Sequence, residues 1–375
     1  MKDRIVTLAT CSYTRAELLK SCLESEGVEC FLKNINLLQS AIGSGVKLRI
    51  REEDLIKALQ IIEDFNLSYV EKDQDNVGFD SQMVLNRIMV PVDFSDTTPR
   101  ICDYAYNLAV KFHADILLFH TYFASAIETV PFSDSYTYNA TVVEVLAEVE
   151  KNATKKITEL KENLIARVKK DKVEGVEVDV ALSGGIASSE IINMAKTYKP
   201  DLLVMGSRGE TAGTSNLLGS VVSSIIDSIH VPMLILSDKG ENPDLDKIKE
   251  VMYATNFDRA DFKAIATLKY IAAPFSMNLH CVHFEEDTEE YPLEEHRMGI
   301  LKKYLKRTLG DDTIQCQVFK IEDKMKGIED YVRDNNIGLI AIMARKHNLL
   351  ERLFFGQMSR KLFVKTHMPI LIFHP

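Results

Sequence analysis

Asp201-Leu202-Leu203-Val204-Met205-Gly206-Ser207-Arg208-Gly209, followed after nine further residues by Gly219-Ser220-Val221, decides how this chain is read. Asp201–Met205 is a short apolar run, the pattern of a strand buried on both faces. Val221–Ile229 has helical spacing. A glycine at the carboxyl end of such a strand lets the backbone approach a ligand. Gly-Ser at the opening of the next helix leaves N–H groups directed at an anion. In the order strand, loop, helix, these parts make a phosphate cradle. Two familiar phosphate loops are excluded. No Lys follows Gly213 or Gly219, so there is no GxxxxGK[ST], and the glycine spacing is not GxGxxG.

Outward from this loop the chain repeats itself. Val84–Asp238 contains Asn86-Arg87-Ile88-Met89-Val90-Pro91-Val92-Asp93-Phe94-Ser95, and Leu245–Pro375 contains Ile248-Lys249-Glu250-Val251-Met252-Tyr253-Ala254-Thr255-Asn256-Phe257-Asp258 at the matching place. Helices Thr98–Phe112 and Arg259–Ala273 follow, then strands Ala114–His120 and Met277–His283. Late in each copy stand Pro200–Met205 and Asn336–Met343, and each copy closes on an apolar strand, Met233–Leu236 or Ile370–Phe373. Apolar strands alternating with helical patterns predict two tandem α/β domains, each a doubly wound parallel sheet covered by helices on both faces. Thr141–Lys170 reads as a long surface helix. Such sheets bind ligands outside the carboxyl ends of their strands, where Asp93 and the Gly206 loop both fall.

The first 72 residues differ in character and read as a small α+β unit. Strands are expected at Ile5–Ala9, Glu29–Lys33 and Val46–Ile50, with helices at Thr14–Ser25 and Glu52–Phe65. Residues 73–83 are polar and read as a linker to a domain at 84–238, with the second α/β domain at 247–375.

Composition bounds the rest. A formal charge of −10 over 375 residues, with no basic stripe, argues against nucleic acid and against anionic membrane surfaces as partners. No apolar run approaches the ~18 residues of a membrane span, and the start has no signal-peptide core. Six cysteines are scattered without a CxxC pair, which points to a reducing, cytoplasmic setting.

Val90-Pro91-Val92-Asp93-Phe94-Ser95 together with Met-Gly-Ser-x-Gly-x9-Gly-Ser-Val resembles the universal stress protein family over residues 84–375, as two tandem domains. Gly206, Gly209, Gly219 and Ser220 keep the loop spacing of its ATP-binding branch. The N-terminal unit resembles a small bacterial signal-transducing domain of ferredoxin-like shape, through Glu17-Leu18, Leu23–Gly27 and Gly45–Ile50. The first resemblance implies a regulatory protein of the stress response that binds ATP or AMP, with or without Mg2+. Asp93 and the backbone of Val92 would then meet ribose and adenine, and Thr121 would flank the base. Met205, Gly206, Gly209, Gly219, Ser220 and Val221 would form the ribose and phosphate cradle. Arg208 stands where the family often has His and could neutralise a phosphate, whereas Glu210 opposes one. Gly185, in Ser183-Gly184-Gly185, borders the nucleotide, with Ala187 replacing the proline of the family's Gly-x-Pro turn. Family members pair through their last strands, which here would make a pseudo-dimer within one chain, open to further pairing as a homo-dimer and to an unidentified protein partner. The alternatives are a slow ATPase or self-phosphorylating enzyme and a nucleotide-free interaction scaffold. No catalytic residue stands out.

The second copy departs from the motif. Asn256 stands in the place of Asp93, and Met343-Ala344-Arg345-Lys346-His347 replaces Met205–Gly209. Its loop is one residue shorter, and Gln357 replaces the serine. Side chains at Ala344 and His347 would fill the cradle. In His280-Cys281-Val282-His283, alternation along a strand sends the two imidazoles to opposite faces, which is poor for a shared metal. Cys281 with His283 could supply two ligands of a site completed elsewhere, but core packing is the favoured reading.

Overall fold

The computed structural model describes residues 5–11, 13–34, 46–51, 54, 57–58, 61, 84–122, 135–207, 219–237, 243–257, 259–285, 291–310, 313–321, 324–344 and 368–374. They fall into two compact units: Met1–Gln82 with Glu285–Tyr304, and Met83–Phe284 with Leu305–Pro375.

The first unit holds β1 (Ile5–Cys11), α1 (Tyr13–Ser25), β2 (Cys30–Asn34) and β3 (Val46–Arg51). The strands form an antiparallel sheet in the order β1-β3-β2, so β3 lies between two strands joined by a helical crossover. Alternation puts Leu48 and Ile50 of β3 on the buried face with Leu8, Leu19, Leu23 and Val28. Helix α7 (Tyr291–Leu309) contributes to this unit through its residues up to 304. There Arg297 donates to the Leu8 carbonyl at 2.8 Å and pairs with Glu294 at 2.8 Å. Nothing in the sequence linked residues 285–304 to the N-terminal unit. Most of the helix expected at 52–65, and the whole of 73–81, lie outside the described residues.

The second unit is built on one sheet of ten strands. Its first half comprises β4 (Arg87–Pro91), α2 (Thr98–Phe112), β5 (Asp115–Tyr122), α3 (Ser135–Lys170), β6 (Val178–Gly184), α4 (Ala187–Tyr198), β7 (Leu202–Gly206), α5 (Ser220–Ile226) and β8 (Met233–Leu236). Its second half comprises β9 (Glu250–Ala254), α6 (Arg259–Ala272), β10 (Asn278–Glu285), β11 (Gln315–Lys320), α8 (Lys324–Asp334), β12 (Ile337–Met343) and β13 (Ile370–Phe373). The order β11-β10-β9-β12-β13-β8-β7-β4-β5-β6 reads as one five-strand pattern written twice, outward from the centre. Each half contains parallel pairs, and at the centre β13 and β8 run antiparallel with Leu371 opposite Leu234. Joining there leaves neither last strand with an open edge.

The run Leu202–Met205 is buried on both faces, as its unbroken apolar sequence requires. On one face Met89, Leu117, Phe119, Leu203 and Met205 pack on α4 and α5, in a core that also takes in Ile370 and Ile372 of the other half. On the opposite face the seam is sealed by α2 and α6. Leu108, Leu268, Leu234 and Leu371 line an apolar cavity of only about 20 Å³ there. Close packing at this joint makes the two halves one folded body. The long helix begins at Ser135, earlier than its spacing suggests, and buries Ala153, Ile157 and Leu164 along one stripe.

Candidate functional site

The carboxyl ends of β7, β4, β5 and β6 stand side by side in the first half. They carry Gly206, Asp93, Thr121 and Ser183 in that order. With strands about 4.8 Å apart, the row spans about 14 Å.

At one end of the row the glycine loop is pinned at its base. Ser207 is fully buried, and its N–H donates to the Leu236 carbonyl at 2.8 Å. The Gly219 N–H donates to the Ser207 carbonyl at 2.7 Å. The chain leaving β7 therefore returns to within one hydrogen bond of its departure point before α5 begins. Gly219 caps α5 in an extended conformation, and Ser220 and Val221 form its first turn. The opening N–H groups of any helix lack intrahelical acceptors, so those of α5 take their partners from outside the helix. Arg208 and Gly209, like Glu210, lie outside the described residues.

Asp93 follows β4 and is half-buried. Its Oδ1 accepts from the Ser95 N–H at 3.1 Å, the Ser95 hydroxyl at 2.7 Å and the Thr98 hydroxyl at 3.1 Å. The turn this builds holds Phe94 at φ 62°, a left-handed backbone that non-glycine residues adopt only when their surroundings impose it. The Phe94 ring packs on His120 with centroids 4.1 Å apart, and His120 Nδ1 hydrogen-bonds the Val92 carbonyl at 2.7 Å. The Val92 N–H donates to the Phe119 carbonyl at 2.8 Å. Both backbone groups of Val92 are thus engaged in the fold, which leaves a ligand the carbonyl's second lone pair. Burial pushes the His120 imidazole below its ordinary value, against the hydrogen bond to Val92 and the nearby charge of Asp93.

Alternation places Thr121 on the sheet face of Leu117 and Phe119, the face covered by α4 and α5. Thr121 pairs in register with Ser183. Beyond β6 the chain turns at Gly185, whose φ of +151° and whose N–H bond to the Tyr122 carbonyl at 3.0 Å fix the entry to α4.

The same turn recurs in the second half with altered chemistry. Phe257 has φ 61°, packs on His283 at 4.7 Å, and His283 Nδ1 meets the Thr255 carbonyl at 2.7 Å. Asn256 takes the place of Asp93. The carboxylate hub is now Asp261 of α6, which is 1% exposed. It accepts from the Tyr253 hydroxyl (2.8 Å), the Thr255 hydroxyl (2.8 Å) and the Asn256 N–H (3.0 Å). Motif comparison puts Ala344 in the place of Gly206, but strand register corrects it. Met343 lies opposite Phe373 as Gly206 lies opposite Leu236, and the Ala344 N–H donates to the Phe373 carbonyl at 2.7 Å as that of Ser207 does to Leu236. Met343 therefore replaces Gly206, Lys346 replaces Gly209, and the loop to Gly356 is as long as the loop to Gly219. His347, Gly356 and Gln357 lie outside the described residues.

His280 and His283 diverge, as alternation requires. His280 lies between the Tyr331 hydroxyl and the Glu250 carboxylate, each at 2.7 Å. Among the described residues no group of three or more His, Cys, Asp or Glu could hold a metal ion. Burial pushes the Cys102 thiol up to about 12, so it stays protonated and poorly nucleophilic at neutral pH. Sequence reading allowed a turn-forming or helix-capping Asp93 before Phe94-Ser95, which the Ser95 bonds match, but missed the Thr98 bond to it, the left-handed phenylalanines and the relocated carboxylate. The equal spacing of Phe94 to His120 and of Phe257 to His283 was the available signal for the second.

The sequence of residues 85–237 matches the profile of the universal stress protein family. This segment is a universal stress protein domain. Residues 7–66 match a family of prokaryotic signal transducing proteins. The universal stress protein MJ0531 of Methanocaldococcus jannaschii is 29% identical over 150 residues, 40% of this chain and 81% of that protein. The universal stress protein Slr1230 of Synechocystis is 25% identical over 297 residues, 77% of this chain and its own full length. That match runs beyond the universal stress domain at 85–237. In fold the chain is similar to a universal stress protein of Archaeoglobus fulgidus, at 17% identity and TM-score 0.58, over 78% of this chain and 97% of that one. A universal stress protein solved in complex with cAMP is also similar, at 22% identity over 40% of this chain and 96% of that one, with TM-score 0.29. Among the described residues no helix is long and apolar enough to cross a membrane.

Proposed function

We propose that this chain is a regulatory protein of the stress response that binds one adenine nucleotide, ATP or AMP, in its universal stress domain. The observation that carries this reading is the closed base of the glycine loop. Ser207 and Gly219 meet through a 2.7 Å hydrogen bond at the end of β7, one strand away from Asp93. A loop shut at its neck by its own backbone, with glycines on both sides and a helix opening from it, suits a phosphate. Asp93, half-buried at the neighbouring strand end, suits a ribose hydroxyl, because an ionised carboxylate only accepts hydrogen bonds. In this reading Met205 and Gly206 floor the cradle, Gly209, Gly219, Ser220 and Val221 line it, and Arg208 or Mg2+ offsets phosphate charge. Val92, Thr121 and Gly185 border the base.

The half at 247–375 is a second universal stress domain that has given up its site, supported by the repeated strand order and by the transfer of its carboxylate to the buried Asp261. The β8–β13 joint is then an internal pseudo-dimer. Nucleotide occupancy would bias that joint or the N-terminal unit, for a protein partner to read. We place the protein in the cytoplasm, where the free thiols of Cys22, Cys30, Cys102, Cys281 and Cys316 would persist.

Mass spectrometry of the nucleotide released from the purified, heat-denatured protein tests the assignment. Recovery of ATP or AMP supports it. A protein that carries none and shows no thermal shift at millimolar ATP, AMP or ATP with Mg2+ contradicts it.

A further inference from the structure

Ser183 and Glu190 form a polar pair at the far end of the strand-end row, away from the glycine loop. The Ser183 hydroxyl donates to Glu190 Oε2 at 2.6 Å. Glu190 lies in the first turn of α4, and both residues are half-buried. Its other oxygen, Oε1, lies 3.2 Å from where a Cβ on Gly185 would stand. Gly185 therefore serves two ends: it adopts φ +151°, and it leaves the carboxylate room to lie over the turn. Ser183 is the register partner of Thr121, so hydroxyl, carboxylate and Thr121 share one sheet face at adjacent strand ends.

From these positions we infer that Glu190, oriented by Ser183, reads the exocyclic group of the bound base and selects a 6-amino purine over a 6-keto one. This rests on the nucleotide reading above. A phosphate in the Gly206–Gly219 loop and a ribose at Asp93 direct the base toward β5 and β6, the next strands in the row. An ionised carboxylate has only acceptors to offer, and one of its lone-pair sites is taken by Ser183. The adenine N6 amine is a donor and complements it; the O6 of guanine or hypoxanthine is an acceptor and faces a like partner. Ser183 fixes the carboxylate's rotation and is a positioning residue.

Inosine triphosphate differs from ATP only at the base edge, where a keto oxygen replaces the amine at position 6 and N1 carries a proton, with the phosphates and ribose unchanged. Titration of the full chain with both nucleotides, for the native protein, Glu190→Gln and Ser183→Ala, tests the inference. The native protein should prefer ATP by about tenfold, the size of one polar base-edge contact. Glu190→Gln, whose amide both donates and accepts, should bring the two affinities within about threefold. Ser183→Ala should give an intermediate ratio, and it carries the test if Glu190→Gln does not fold. A purely structural Glu190 would shift stability and leave the ratio unchanged. Equal binding of ATP and inosine triphosphate by the native protein, or a native ratio in folded Glu190→Gln, overturns the inference and leaves the nucleotide site standing. Binding of neither by the native protein overturns both.

Discussion

The Thr98 hydroxyl donates to Asp93 Oδ1 at 3.1 Å, and in the second half this pair is exchanged: Asn256 stands for the Asp and Asp261 for the Thr. One carboxylate serves each turn. In the first half it sits on the strand-end loop, half-buried and beside the glycine loop. In the second it sits on the helix, 1% exposed, and holds three donors of its own turn. Moving the charge from the rim to the interior keeps the fold of the turn and takes away the group proposed above to accept from a ribose.

Asp93→Asn should therefore separate binding from folding. Asn keeps an Oδ1 acceptor for Ser95 and Thr98, so stability should change by less than about 1 kcal/mol. The charge on the ribose contact is lost, and ATP affinity should fall about tenfold. Urea unfolding and calorimetric titration of the same variant measure the two effects.

Asp261→Ala should do the reverse. It leaves the Tyr253 and Thr255 hydroxyls and the Asn256 N–H without their acceptor in a buried setting, at a cost of about 3–5 kcal/mol. ATP affinity of the folded fraction should stay at the native value. Chemical denaturation with and without nucleotide distinguishes this from a functional second site.

At the central joint, Leu371→Ala removes a side chain that is 1% exposed and opposite Leu234. It enlarges the apolar cavity there, and the loss should be about 2–5 kcal/mol. Because the core runs through both halves, calorimetry should show one transition for residues 84–375, shifted as a whole. Loss of the second half alone would mean that the halves fold separately.

Acid should weaken the fold through two imidazoles. Burial holds His374 and His120 below the ordinary 6.5, opposed at His374 by its bond to the Ile226 carbonyl and by Asp227, and reinforced there by His230. At His120 the charge of Lys156 acts with burial, and that of Asp93 acts against it. A folded value below the unfolded one means that the unfolded chain takes up the proton first. The stability these groups confer is full above about 6.5 and is lost as pH falls through their lowered folded values. His374→Gln, which keeps a donor for Ile226, should flatten the decline seen in urea unfolding between pH 7.5 and pH 5. A decline of equal slope in that variant would show that other groups control it.

Much of the sheet was legible in the sequence, because strands buried on both faces are written as unbroken apolar runs. Leu202–Met205 and Met233–Leu236 show this, and the limits of α2 were set by Pro99 and by the left-handed His113. The pairing of the last strands β8 and β13, expected from the family resemblance, is present, and it is antiparallel. The row of strand ends on which the proposed first-half site stands was legible, since Gly206 and Asp93 could be placed at strand ends from the apolar runs before them. What was not legible depends on partners distant in sequence. A glutamate in a helix's first turn looks like any other until Ser183 is beside it, and Asp261 looks like a first-turn acid until Tyr253 and Thr255 converge on it. The grouping of residues 285–304 with the N-terminal unit is likewise a tertiary fact.

The central claim, one live cradle and one filled one in a single chain, is tested most directly by the stoichiometry of ATP binding to the full-length protein in calorimetric titration. The account predicts one nucleotide per chain, with affinity lowered by Asp93→Asn and unchanged by substitution at Asn256. Two nucleotides per chain, or heat that survives Asp93→Asn but vanishes on substitution at Asn256, would contradict it.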